Sequence, residues 1–296
     1  MISVIICSVN PEFLRRASDN IEKTIGAPYE LLVRDNRQHG QGICAVYNEL
    51  AARAEYPYLC FVHEDVIFET SQWGSVALNE FDANPDAGLL GIAGCKYKSA
   101  FYSGWFSGVE EIDCANYIHQ YPGKEEKVCL SPTPLTDLQE TVSVDGVFMF
   151  VSKEVWNAIR FNDNYLTGFH FYDIDFSLRV AKRYKVFVTY KILLRHITVG
   201  GDYSDKWVKT AMVYHTTVNT ELPYTKFNID KKGLDLQIVK NTLDSLKTYR
   251  IGFGNKLRWV TSQKLYLHPS VYYEILKFFL YQPLGLKRIH YLSKRK

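Results

Sequence analysis

The chain has 296 residues, of which 47% are hydrophobic, 15% aromatic and 23% charged. That length and balance suit one large folded domain, or one domain with an appendage, and exclude a disordered chain. The net charge of +3 says little as a total, and no run reaches the roughly 18 apolar residues of a membrane-spanning helix.

Strand and helix signals alternate over the first 200 residues. Residues 2–8 form a short β-branched apolar run, with no cationic stretch before it, and read as a first strand rather than a signal peptide. A helical pattern follows Asn10-Pro11 and runs to Ile25. Residues 29–34 read as a second strand, 43–54 as a helix, and 58–62 as a third strand ending in His63-Glu64-Asp65. A helix over 71–81 and a strand over 88–95 come next. Residues 96–140, rich in Gly, Pro, Tyr and Ser, read as long substrate-facing loops. Strand signals return at 141–151, a helix begins at Lys153, a loop spans 161–172, a helix covers 173–183 and a strand covers 185–189. This alternation predicts a mostly parallel sheet with helices on both faces, its ligand beyond the carboxyl ends of the strands. Ser8 to Asn10, Asp35-Asn36 and His63 to Asp65 stand at those ends.

After about residue 222 the pattern turns helical and basic. Residues 247–296 hold eleven Lys or Arg and one acid, Glu274, with aromatic residues scattered among them. Such a segment is compatible with an anionic membrane surface or with a solvated helical face and packing aromatics. The six cysteines form no C-x-x-C pair, and Cys7 and Cys60 lie in apolar runs, so a reducing, cytoplasmic setting is expected.

Three constellations can carry chemistry. In His63-Glu64-Asp65 the two-residue period of a strand puts His63 and Asp65 on one face, where they could hold a cation against a diphosphate; solvated loop acids are the alternative. Asp173 and Asp175 open a predicted helix. Either could serve as a general base, or both could cap the helix, with Asp175 pairing Arg179 four residues on. His196, beside an apolar strand, is either structural or a further ligand for the first cluster. Asp145-Gly146 follows a strand, where glycine suits a closely approaching ligand or simply a turn.

The order of these segments resembles the bacterial family-2 glycosyltransferases over roughly residues 1–200. Ser3 to Asn10 matches their opening strand, Leu31 to Asn36 the strand whose acid contacts the base, and Gly42 to Asn48 a G-x-x-x-A-x-N helix. His63-Glu64-Asp65 falls on the D-x-D metal motif and Tyr172 to Asp175 on the E-D-x-D segment, with Cys7, Val9, His63 and Tyr172 departing from the usual residues. The resemblance implies an α/β fold of the GT-A nucleotide-diphospho-sugar transferase type, a Rossmann-like mixed sheet flanked by helices, over 1–221, with a helical extension over 222–296.

It further implies inverting transfer from a nucleotide-diphosphate sugar, UDP-sugar above all, to a hydroxyl of a glycan or lipid-linked acceptor in surface polysaccharide or glycoconjugate synthesis. Ser8, Asn10, Asp35, Asn36, Asn48 and Glu64 would bind the nucleotide, and Asp145, Gly146 and Tyr172 the sugars. His63, Asp65 and His196 would hold a divalent cation, for which imidazole favours Mn2+ over Mg2+. Asp173 would be the base, with Asp175 orienting the region or substituting for it. Peripheral contact with the inner face of a membrane is expected through the extension, and no nucleic acid. A non-catalytic nucleotide-sugar or glycan-binding module, favoured by the altered D-x-D, is the alternative. A nucleotidyltransferase would need a Gly-rich basic loop where Asn10-Pro11-Glu12 stands.

Overall fold

The computed structural model describes residues 1–38, 40–121, 123, 125–131, 136–197, 203–218 and 221–281. The first strand, β1 (Ile2–Ser8), is followed by α1 (Pro11–Thr24), β2 (Tyr29–Asp35), α2 (Ile43–Arg53), β3 (Tyr58–Val62), β4 (Val66–Phe68) and α3 (Trp73–Ala83). Next come β5 (Ala87–Gly91), β6 (Ala93–Cys95), β7 (Asp113–Gln120), β8 (Lys127–Ser131), β9 (Leu138–Thr141), β10 (Ser143–Val144) and β11 (Phe148–Ser152). The remainder is α4 (Lys153–Ile159), α5 (Tyr172–Ala181), β12 (Lys185–Thr189), β13 (Leu194–Ile197), α6 (Asp205–Val213), α7 (Leu234–Leu246), α8 (Phe253–Ser262) and α9 (Tyr272–Leu280).

The main sheet has the order β2-β1-β3-β11-β5-β12-β9. β1 runs parallel to β2 and β3, whereas β11 is antiparallel to both β3 and β5. Both faces are covered. Ile5, Phe61, Met149 and Val186 pack toward α2, α4 and α5, while Val4, Ile6, Cys60 and Phe150 pack toward Ile21 of α1 and Trp73 of α3. Burial on both sides explains why these strands read as continuous apolar runs rather than alternating ones.

A second sheet, β10-β6-β7-β13-β4 with β8 on β7, together with β9 at the edge of the main sheet, corrects two expectations. Residues 96–140 are not all loop, because β7, β8 and β9 lie among them. The continuous strands expected over 88–95 and 141–151 each break in two and pass between sheets, β5 to β6 and β10 to β11. The backbones of β6 and β10 come so close that a Cβ on Gly94 would stand 2.1 Å from the Ser143 carbonyl oxygen. The sheet is therefore mixed, and the crossing from β10 to β11 places Asp145-Gly146 at the seam.

The C-terminal helices pack on the same core. Val239 and Leu243 of α7, Trp259 of α8 and Phe278 of α9 are buried in one apolar cluster with residues of α5 and α6. The aromatic residues at 259 and 278 thus serve packing. Among the described residues no helix is long and apolar enough to cross a membrane, and the six cysteines are free.

Candidate functional site

The site is built from strand ends. β3 ends beside the loop 63–65, and the second sheet brings β13 alongside β4, with His196 opposite Val66. As a result His63, Asp65 and His196 each present a ligand atom within 4.8 Å of one another. His196 Nε2 lies 3.3 Å from Asp65 Oδ2, and His63 Nδ1 lies 3.9 Å from Asp65 Oδ1. The donor set, one carboxylate and two imidazoles, suits a borderline divalent cation.

Two further observations fit a cation there. Asp65 Oδ1 is buried and accepts no hydrogen bond from the described residues, a state whose cost a cation at that oxygen would offset. Burial acts to raise the Asp65 carboxyl, yet the hydrogen bond and charge of His196, with His63, bring it below the usual carboxylate range. Burial lowers His63, outweighing the pull of Asp65, and so favours the neutral imidazole that binds metals.

The triad stands between two cavities. The larger, about 770 Å³, is lined by Cys7, Val9, Asn10, Asn36, Glu64 and Asp65, among others, at the ends of β1, β2 and β3. The smaller, about 300 Å³, is lined by Asp145, Gly146, Tyr172 and Asp173 together with Trp105, Tyr117, His119 and Tyr203. His63, His196 and Phe169 line both.

Glu64 fastens the first loop to β3: Ser8 Oγ donates to one of its carboxylate oxygens, and the backbone N–H groups of Val9 and Asn10 donate to it at 2.9–3.1 Å. The Asn10 side chain caps α1 through the N–H groups of Glu12 and Phe13. Asp35 is exposed and forked by Arg37, while Asn36 exchanges hydrogen bonds with the Gln41 backbone at the rim of the larger cavity. Asn48 lines neither cavity. Its amide donates to the Phe161 carbonyl at 2.9 Å and accepts from the Phe161 N–H at 3.0 Å, clamping the loop before α5.

The two aspartates of α5 part company. Asp173 faces the smaller cavity and accepts from the Gly146 N–H at 3.1 Å. A helix N-terminus alone would favour its ionised form, but burial and then the charge of Asp145 push its carboxyl up to about 7. Asp175 is buried away from both cavities. Arg179 Nε donates to it at 2.8 Å, and the same guanidinium donates to the carbonyls of Ile159 and Arg160, joining α5 to the end of α4. Burial raises the Asp175 carboxyl, with Arg179 pulling the other way.

Gly146 admits the close approach of a side chain at the wall of the smaller cavity. A Cβ there would stand 2.0 Å from the hydroxyl oxygen of Tyr172, whose ring lies across the turn. Tyr172 in turn holds His63, its hydroxyl 2.7 Å from Nε2.

Sequence reasoning missed the aromatic wall and His119, which stacks on His196 with ring centroids 5.6 Å apart. The strand spacing of Tyr117, His119 and Tyr121 was the available signal, since residues two apart share a face. Burial, then the charge of His196, lowers His119 to about 4. His170, also in the smaller cavity, is lowered to about 4 by burial and then Lys206.

Comparison with curated protein sequences finds no match. Solved structures show the same architecture. GalNAc-T7, solved with UDP, GalNAc and Mn2+, is 10% identical with a TM-score of 0.50 over 72% of this chain; the match spans 48% of that protein, about half its length. The mannosyltransferase PcManGT from Pyrobaculum calidifontis, solved with GDP-Man and Mn2+, is 10% identical with a TM-score of 0.51, over 97% of this chain and 87% of its own. At that identity the likeness is one of fold, the GT-A arrangement of a mixed sheet and flanking helices. The model of the glycosyltransferase-like family matches residues 3–227, about three quarters of the sequence, and the chain belongs to that family.

Proposed function

We propose that this protein transfers a sugar from a nucleotide-diphosphate sugar to an acceptor hydroxyl with inversion. The observation that carries the reading is the position of His63 and His196 on the wall shared by two cavities, with Asp65 beside them in the larger and Asp173 in the smaller. The larger cavity takes the nucleoside, for which a uridine nucleotide is the first candidate, and the diphosphate lies at the triad. The sugar and the acceptor meet in the smaller cavity. Asp65, His196 and His63 would hold a divalent cation, Mn2+ before Mg2+, which supplies Lewis-acid neutralisation of the diphosphate charge when bound.

Asp173 takes the proton of the acceptor hydroxyl as that oxygen attacks the anomeric carbon from the face opposite the diphosphate. The new carbon–oxygen bond forms as the bond to the diphosphate oxygen breaks, and the nucleoside diphosphate leaves with the electron pair. A carboxyl near 7 suits a base at neutral pH, because a fraction is ionised while the group keeps some proton affinity. Tyr172 and Gly146 position His63 and Asp173. Asp175 holds α5 in place.

The sequence resemblance supports a bacterial setting, in surface polysaccharide or glycoconjugate synthesis. A cytoplasmic location, with the extension after residue 221 meeting the inner face of a membrane, belongs to the same proposal. The test is titration calorimetry of UDP and GDP with and without Mn2+, followed by assignment of the product anomer by NMR. Metal-independent binding, or a product that retains the donor configuration, overturns the corresponding half of the reading.

A further inference from the structure

Eight of the sixteen exposed large hydrophobic side chains among the described residues fall within residues 253–280. Phe253 and Leu257 lie one turn apart on α8, and Leu276 and Leu280 one turn apart on α9, so each pair shares a helix face. The two helices are fastened together: the Phe253 and Phe279 rings are 5.5 Å apart, and the buried Lys256 ammonium donates to the Phe278 carbonyl. The Tyr272 hydroxyl bonds the Tyr266 carbonyl at 2.6 Å, fixing the intervening turn against α9. The apolar side chains therefore belong to one rigid unit, with Arg258 and Lys264 exposed among them.

Exposed apolar side chains gathered on one rigid unit mark an interaction site. Its occupant is indicated by charge. Of the six Lys or Arg in residues 247–281, Lys256 is buried and Lys247 and Lys277 pair with Asp244 of α7, which leaves Arg250, Arg258 and Lys264 exposed to meet an anionic surface, and aromatic side chains with a polar end suit a bilayer interface. The location ties the patch to the site. Tyr249, which lines the smaller cavity, precedes Phe253 by four residues, a stretch of at most about 14 Å. Phe106, also exposed, lines the same cavity.

We propose that α8, α9 and the turn between them dock on an anionic lipid bilayer and set the smaller cavity against it, so that the acceptor is a lipid-linked glycan. The proposal deepens the reading above by naming the helices that meet the membrane and the class of acceptor; only the acceptor half rests on the transfer reaction. No Lys or Arg is among the described residues lining the cavity, so it accommodates an uncharged sugar while a lipid phosphate stays outside, near the cations.

The test is co-sedimentation of the full chain with phosphatidylglycerol–phosphatidylcholine vesicles and with pure phosphatidylcholine vesicles. Binding to the anionic vesicles should be at least tenfold stronger and should weaken with salt. Leu257→Glu/Leu276→Glu should lower it at least tenfold, with melting temperature and UDP affinity retained. Val128→Glu/Leu130→Glu, on the exposed face of β8, should leave it unchanged. Equal vesicle binding by the wild type and Leu257→Glu/Leu276→Glu overturns the proposal. So does a dimer, formed without lipid, that these substitutions dissociate, or tRNA binding that they abolish while vesicle binding persists. Vesicle binding in a protein without nucleotide-sugar turnover supports the docking surface and overturns only the acceptor half.

Discussion

The Tyr172 hydroxyl lies 2.7 Å from His63 Nε2, joining the first residue of the helix that carries Asp173 to the loop that carries Asp65. The bond uses one imidazole nitrogen and leaves Nδ1 on the side of Asp65. It is the kind of outer partner that fixes the orientation and tautomer of a metal-binding histidine. Tyr172→Phe should keep the fold and weaken Mn2+ binding about 10–100-fold, the usual effect of losing such a partner. Calorimetric titration of Mn2+ in the presence of UDP measures this, and unchanged affinity would leave Tyr172 as packing.

Asp65 itself should matter more. Asp65→Ala removes the carboxylate whose Oδ1 is buried without a partner, so metal-dependent nucleotide binding should fall by more than the roughly 10–100-fold expected for an outer partner. Affinity for UDP and GDP with Mn2+ should drop to the metal-free level. Unchanged affinity would place the metal elsewhere.

Asp173→Asn should retain donor binding and cut turnover by about 10²–10⁴-fold, the scale of a general base. The wild-type rate should rise as pH increases through about 7, where the carboxyl loses its proton. Stability should move the other way. The folded carboxyl sits above its ordinary value of 3.8, so between those values the native state binds more protons than the unfolded chain and stability falls as pH rises. Asp173→Asn should therefore flatten the fall in melting temperature between pH 4 and about 7. A rate independent of pH from 6 to 8 would remove Asp173 from the base role.

Asp175→Asn should do the reverse, sparing turnover to within about tenfold and costing about 1–3 kcal/mol of stability, the range for weakening a buried charged hydrogen bond. Thermal denaturation beside a turnover assay separates the two. Collapse of turnover in Asp175→Asn with near-normal turnover in Asp173→Asn would exchange their roles.

Gly146→Ala puts a methyl group 2.0 Å from the Tyr172 hydroxyl oxygen, displacing the ring that holds His63. Overpacking of this kind costs about 1–3 kcal/mol. The melting temperature and Mn2+ affinity should fall together, and loss of the first without the second would separate the turn from the metal centre.

The sequence by itself determined the framework of the main sheet. β1 and β3 were legible because a strand buried on both faces must be apolar throughout, and residues 2–8 and 58–62 are the strands observed. His63, Asp65 and His196 were legible as possible ligands from residue type and strand-end position. Tertiary structure decided what local pattern could not. β7 acquires its place from β6 and β13, and β13 lies more than 70 residues away in the chain, so its mixed sequence reads as loop until those partners exist. Two residues on a helix diverge by more than half a turn, which separates Asp173 from Asp175 without saying which faces the cavity. That was settled by Arg179 and the α4 carbonyls on one side and by the Gly146 turn on the other. The ionisation of Asp173 was also beyond the sequence, because burial and Asp145, 28 residues earlier in the chain, outweigh the helix terminus beside it.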